Sequence, residues 1–405
     1  MKRSILITAL LLALLHSGCE KNTSTEVVLK IFGDAYEDIA YSISLSEGDV
    51  VLAGLRTVIT RRDGNYIETS DRKMGVIKAS SAGMQKWEAT PGTGVTSQAS
   101  RVIVLPGGEI VAAGLTTKGT GTTAESDIYI VKLSSAGSVI WESRIGGPGN
   151  QSAADIAVTP TGGFMVAGLT DAYRSESGGF GENIAGMKDF FLLEISSTGD
   201  SIASYAFGYS GNDLCTSIRP DVNGGYILYG TTDNKSEPGL DKNSLLLIRL
   251  NGDASIRESI LVGDLADQYA ADIEVLTDGY LLAATVGKGN ESTQIQLIRL
   301  NSNIQGPARF NRKFDINGQA SSVNAISAGD GVFYLGGRLG IPSSSDNLIL
   351  VIDGDGNQLG DPFISGGSGS QEIFDLLLAD DGFLYAVGKT GYENNTMMCL
   401  LKFRF

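Results

Sequence analysis

Seven residues of this 405-residue chain recur at one place in a repeating phrase, and their types are ones that can do chemistry: Ser42, Arg101, Asp155, Ser217, Asp272, Asn324 and Asp375. Small residues stand two places earlier in several repeats (Ala40, Ala99, Ala153, Cys215, Ala270), as crowding near a common axis would require. Gathered together, the seven would form a ring of carboxylates and hydroxyls with one guanidinium. Paired acids in such a ring could act on a glycosidic bond without histidine. Oxygen ligands could hold a hard cation. The third outcome is a hydrated polar channel in which Arg101 answers one acid, and structural networks of this kind are commoner than sites. A second group lies in the longest insertions, 56–73, 116–126 and 170–188: Arg61, Arg62, Tyr66, Tyr173, Arg174 and Phe180. Arginine and aromatic side chains on loops are the usual material of a ligand patch, and equally of a solvated loop set.

Other chemistries close quickly. The one histidine, His16, falls within the first 18 residues, read below as a removed signal, so the mature chain offers no Ser-His-Asp, Cys-His or His-ligated metal arrangement. Asp353-Gly354-Asp355-Gly356-Asn357 with Asp361 starts like a calcium loop, but Gln358 replaces the glycine and Ile364 the terminal glutamate that such a loop needs. It is read as a turn, and neither a metal nor a cofactor is expected. Gly366-Gly367-Ser368-Gly369 is followed by no helix that could cradle a phosphate. A formal charge of −15 without any Lys/Arg cluster argues against nucleic acid as a partner.

Positioning these residues takes a repeat, and the chain has one. An apolar strand ending in a small residue recurs as Val50-Val51-Leu52-Ala53-Gly54, Ile110-Val111-Ala112-Ala113-Gly114 and Phe164-Met165-Val166-Ala167-Gly168. It continues with strands ending at Gly230, Ala284, Gly337 and Gly388, at intervals of about 50 to 62 residues, a propeller-blade spacing. A third strand follows in each repeat (Ile130-Val131-Lys132-Leu133, Leu247-Ile248-Arg249-Leu250), then a turn such as Ser134-Ser135-Ala136-Gly137, then a fourth strand (Val139-Ile140-Trp141-Glu142). Turns such as Asn223-Gly224-Gly225 suit tight hairpins, and 53 glycines in all fit a chain of many turns. No helical period competes. The chain ends after a third strand, and the part that follows its first 26 residues opens with Val27-Val28-Leu29-Lys30-Ile31-Phe32-Gly33, which matches the fourth-strand ending Ala203 to Gly208. Those two halves make one blade. The expected fold is all-β: a single seven-bladed β-propeller over 26–405, each blade four-stranded and antiparallel, the ring closed by the N-terminal strand.

The first residues read as a processing signal. Lys2 and Arg3 precede an apolar run from Ile5 to Leu15, too short to span a bilayer. His16-Ser17-Gly18-Cys19 resembles the lipobox of bacterial lipoproteins, with His16 where the pattern has leucine. That resemblance implies a signal peptide over 1–18, lipidation of Cys19, a tether over 19–25 and attachment to the outer membrane, with Cys19-Glu20-Lys21-Asn22 resembling a surface-export signal. Cys215 and Cys399 fall in different repeats and are expected to be buried and unpaired. The repeat as a whole, with its double glycine, Asp-Gly-Gly-Tyr-like turn and Ser-x-x-Gly turn before Trp, resembles propeller repeats of secreted proteins and lipoproteins of Bacteroidota. The Ser-x-x-Gly-x-x-x-Trp turns also resemble the sialidase Asp-box, but without its aspartate. The Bacteroidota resemblance implies location and fold, and no shared reaction. The expectation is a monomeric, non-catalytic binding or scaffold protein whose long-loop face meets a protein or glycan. The alternative is a glycosidase or lyase with carboxylates at the channel mouth.

Overall fold

A computed structural model of the chain describes residues 28–404 apart from 34–35, 63–67, 93–95, 119–123, 172–187, 210, 234–241, 265, 288–292, 330 and 393–394. For 28, 59–62, 68–70 and 118 it describes the backbone only. The described residues form strands and turns, with no helix long and apolar enough to cross a membrane. The strands make seven four-stranded antiparallel sheets. In six of them the strands pair in chain order. In the seventh, Val28–Phe32 pairs with Asn395–Phe403 in the register Val28↔Lys402 to Phe32↔Met398. The ring closes as the two ends of the sequence require.

The innermost strands of blades 1 to 7 are Ile39–Ser46, Ser97–Val104, Gln151–Val158, Asp213–Pro220, Gln268–Leu276, Ser321–Ala328 and Glu372–Leu378. The apolar core is divided among the junctions. Seven clusters of buried side chains each draw on two neighbouring blades. One joins Val51, Ala53, Met74 and Val76 of blade 1 to Val102, Ala112 and Tyr129 of blade 2. Another joins Phe32, Met398 and Leu400 of blade 7 to Ile43 and Leu52 of blade 1. A sheet buried on both faces needs apolar residues at nearly every position, which is why the second and third strands read as unbroken apolar runs. Cys215 and Cys399 are buried and unpaired within this packing, as expected.

At the outer rim, the fourth strand of one blade holds the turn of the next. Trp87 Nε1 donates to the Ser135 carbonyl at 3.1 Å and Trp141 Nε1 to the Ser197 carbonyl at 3.1 Å. The turn glycines, Gly137 and Gly199, have φ of 84° and 92°, and a Cβ on either would stand 2.8 Å from an indole carbon. The Ser-x-x-Gly…Trp pattern is therefore an inter-blade latch.

Two of the long insertions are not loops at their bases. The second and third strands of blade 1, Asp49–Arg62 and Glu68–Ser80, stay paired out to Arg62↔Glu68. In blade 2 the pairing runs on to Lys118↔Glu125. The β-branched run Thr57-Val58-Ile59-Thr60 favours an extended strand over an irregular loop. The first base is fixed by Arg56, whose guanidinium meets Asp38 at 2.5 Å and Glu88 at 2.7 Å, and by the Thr57 N–H, which donates to Asp38 at 2.8 Å.

Candidate functional site

Each innermost strand carries a bulge at the same place. Its pairing to the second strand skips one residue: Tyr41, Ser100, Ala154, Thr216, Ala271, Asn324 and Phe374. The extra residue is half-buried in every blade, at the mouth of the central channel. The bend also brings a carbonyl against the second strand. A Cβ on Gly54, Gly168 or Gly388 would land on the carbonyl oxygen of Ile39, Ser152 or Glu372. This close approach explains why the apolar strands end in glycine.

The bulge corrects one sequence assignment. Asn324 is the skipped residue of blade 6, and Ala325, opposite Gly336, stands where the other blades have Ser42, Arg101, Asp155, Ser217, Asp272 and Asp375. Counting by twos along a strand does not register an inserted residue, and the polar side chain of Asn324 therefore stands one place too early to be the ring member.

The six remaining residues line the channel, and hydrogen bonding explains their distribution. In each blade the N–H of the next residue is satisfied by a side chain. Asp155 accepts from its neighbour Ile156 and from Ile218 of blade 4, both at 2.9 Å. Asp272 accepts from Ile273 at 2.8 Å and from Ile326 of blade 6 at 3.3 Å. Asp375 accepts from Leu376 at 2.9 Å and from Ile43 of blade 1 at 3.0 Å. Ser42 Oγ accepts the last, from Val102 of blade 2, at 3.2 Å. The aspartates thus stand in blades 3, 5 and 7 because Arg101, Ser217 and Ala325 pass no acceptor on to those blades. Ser217 Oγ instead donates to Asp272 at 3.1 Å, and Ser42 Oγ donates to Asp375 at 2.9 Å.

Two guanidiniums join the three acids into a chain. Arg101 lies 3.0 Å from Asp375 and 3.2 Å from Asp155, so it answers two acids, one more than expected. Arg219 continues the line, bonded to Asp155 and 2.7 Å from Asp272. Burial works against the Arg219 charge, but Asp155 and Asp272 outweigh it and hold its pKa above the ordinary value. Burial raises the pKa of Asp375, and Arg101 opposes that shift. Arg219 was missed from sequence, although it sits two residues past Ser217 and so on the same strand face. Glu274, at the same offset past Asp272, was missed too. Its pKa is pushed up to about 7 by burial and by Asp272, against the pull of Arg219, Arg101 and the Ala328 N–H.

Above the channel, the glycine-rich connections are held from the strand entrances. Gln151 Oε1 accepts the Gly147 N–H at 2.8 Å while its Nε2 donates to the Pro148 carbonyl at 3.0 Å. Gln371 makes the same pair with Gly367 and Ser368. Asp213 accepts the Tyr209 N–H at 2.7 Å, and burial pushes its pKa up to about 6. At the other face, the calcium-like sequence is a turn in which Asp353 accepts the N–H of Asp355 at 3.0 Å and of Asn357 at 2.8 Å. No metal-binding group of three or more acids, cysteines or histidines occurs among the described residues. Of the loop-face candidates, Arg61 and Arg62 lie in the blade 1 hairpin, described in backbone only. Tyr66, Tyr173, Arg174 and Phe180 lie outside the described residues, as do Cys19 and the whole of 1–25.

No known protein family matches the chain, and no curated protein does. Solved structures do. Hydrazine synthase of Kuenenia stuttgartiensis is similar with a TM-score of 0.56 at 11% identity, over 94% of this chain and 98% of that one. A protein of unknown function from Dyadobacter fermentans is similar with a TM-score of 0.52 at 10% identity, over 95% and 100%. A puromycin hydrolase is similar with a TM-score of 0.51 at 12% identity, over 87% of this chain and half of its own. At such identities the likeness is one of fold, shared by proteins of unlike activity. What geometry and comparison together establish is a seven-bladed β-propeller.

Proposed function

We propose that this chain is a non-catalytic binding or scaffold protein. It is exported, tethered by a lipid on Cys19 to the outer membrane, and captures a protein or glycan on its loop-rich face. One observation carries the non-catalytic part: the three aspartates of the channel ring are already engaged, which leaves Glu274 without a free carboxylate partner among them. Asp155, Asp272 and Asp375 each accept two backbone N–H groups and at least one guanidinium or hydroxyl contact. A glycosidase needs one carboxyl free to protonate a leaving group and another free to attack or to activate water. Acids that close the ring are poorly placed for either task. The tether and the outer-membrane location rest on the lipobox-like residues, and the resemblance to lipoproteins of Bacteroidota supports them.

The test has two arms. Wild-type protein incubated with a broad set of glycans should release no product, and labelled fatty acid should enter the protein only while Cys19 is present. Turnover that disappears in the Asp272→Asn/Asp375→Asn double variant would replace this reading with the enzymatic one. Truncating 170–188 should abolish partner capture while the melting profile stays that of the parent; unchanged capture would remove that part of the face from the reading.

A further inference from the structure

We propose that the channel mouth over blades 6, 7 and 1 binds a neutral pyranose unit of an oligosaccharide through Tyr41, Asn324, Arg338, Glu372, Phe374 and Lys389. The proposal rests on the binding-module reading above and gives it a ligand class and a place.

The seven repeats act as internal controls. At the bulge, the other blades carry Ser100, Ala154, Thr216, Ala271 and Asn324, and only the adjacent blades 7 and 1 carry aromatics. The rings of Phe374 and Tyr41 face each other across that junction with centroids 5.0 Å apart and planes tilted by 60°, both half-buried. One place past the small residue that ends the second strand, five blades carry Leu55, Leu115, Leu169, Thr231 and Thr285. Blades 6 and 7 carry Arg338 and Lys389. Both cations converge on Glu372, the cross-strand partner of Lys389, each at 3.3 Å. Asn324 Nδ2 donates to the same carboxylate at 3.1 Å and to the Ile373 carbonyl at 2.8 Å. Lys389 Nζ also stands 5.7 Å from the Phe374 ring centre.

Ring closure does not require this set, because five blades close with leucine or threonine where these two have charges. The ion contacts are also longer than the roughly 2.7–2.9 Å of a tight charge-assisted bond. Arg338 Nη1 is tied to the Gly340 carbonyl at 2.7 Å, which fixes that guanidinium beside Glu372, while the Lys389 side chain remains 19% exposed, so its donors can turn to a ligand. A half-buried aromatic pair accepts the C–H face of a pyranose, while Lys389 and Asn324 donate to, and Glu372 accepts from, hydroxyls that both give and take hydrogen bonds. Charge selects the neutral sugar. Two cations meet one acid at the mouth, while three aspartates and Glu274 meet two guanidiniums below it, so an anion drawn to the mouth is repelled from beneath and a cation drawn to the ring meets the excess positive charge of the mouth.

The test presents full-length protein in detergent to immobilised neutral and uronate-bearing oligosaccharides, followed by calorimetry on the tightest neutral one. Phe374→Ala and Tyr41→Ala should each weaken binding about tenfold, and Thr216→Ala, the same mouth position in blade 4, should leave it unchanged. Phe374→Leu and Lys389→Met keep the bulk of the side chain and serve if an alanine variant melts early. Sugar binding that survives both of these would overturn the site and leave the binding function standing. Retention of no carbohydrate by the wild type would overturn the site and the glycan arm of the function, leaving protein capture. Preferential, steeply salt-dependent retention of uronates would overturn the neutral assignment.

Discussion

Replacing Asp155 by alanine tests the acceptor logic of the channel most directly. The substitution removes the acceptor for two N–H groups, Ile156 and Ile218, and one acid from each of Arg101 and Arg219. A buried N–H left without a partner costs about 1–3 kcal/mol, so the pair accounts for about 2–6 kcal/mol. The guanidiniums keep Asp375 and Asp272, and with side chains 27% and 19% exposed they rehydrate in part. Their loss belongs with exposed pairs, about 1 kcal/mol or less each. The total is about 2–8 kcal/mol. Ser42→Ala strands only the Val102 N–H and takes one donor from Asp375, a cost of about 1–3 kcal/mol. Urea unfolding followed through Trp87 and Trp141 gives the order: Asp155→Ala well below Ser42→Ala, Asp155→Asn between them because its oxygen still serves one N–H, and an unchanged slope in denaturant. If Asp155→Ala unfolds within about 1 kcal/mol of the parent, as an ordinary surface substitution would, the aspartates do not hold the ring and the case against catalysis falls with them.

Two further outcomes follow from closure and from charge. Deleting 28–32 leaves the blade 7 strand Asn395–Phe403 with an open edge and removes Phe32 from the junction with blade 1; the protein should become insoluble or lose its cooperative melt, and a soluble monomer with the parental midpoint would contradict it. Glu274 binds its proton more tightly in the folded protein, at about 7 against an ordinary 4.5. Its contribution to stability is therefore full below pH 4.5 and is lost as pH rises toward 7, by up to about 3 kcal/mol. Glu274→Gln should flatten that part of the pH–stability curve, as read by denaturation at fixed temperature, and an unchanged slope would show that the carboxyl is solvated.

The seven-fold phrase, the unpaired cysteines and the ring closure were legible in the sequence because each leaves a repeating or complementary trace. Apolar runs mark strands buried on both faces, and the match between Val28–Phe32 and other fourth strands marks a missing partner. The bulge left no such trace, since one inserted residue shifts the count without changing composition, and Asn324 was misplaced by it. Arg219 and Glu274 are not legible in a pattern of one polar residue per strand, because the strand face repeats every second residue. The two aromatics of the mouth were invisible for a related reason. Tyr41 and Phe374 are ordinary strand residues until the register shows that they alone break the pattern of small side chains at that position.

The acceptor ring has a consequence for how this fold can grow or shrink. An aspartate that serves its own blade and the following one makes the dyad, two blades, the natural unit of the channel, and an even ring of dyads would close without a seam. A ring of seven has the wrong parity and must hold one irregular joint, which here is the hydroxyl of Ser42 between blades 1 and 2. Losing blade 2 alone would leave three dyads and remove the joint, whereas losing any other single blade would break a dyad and add a second irregular joint. Losing or gaining a whole dyad would leave the Ser42 joint alone.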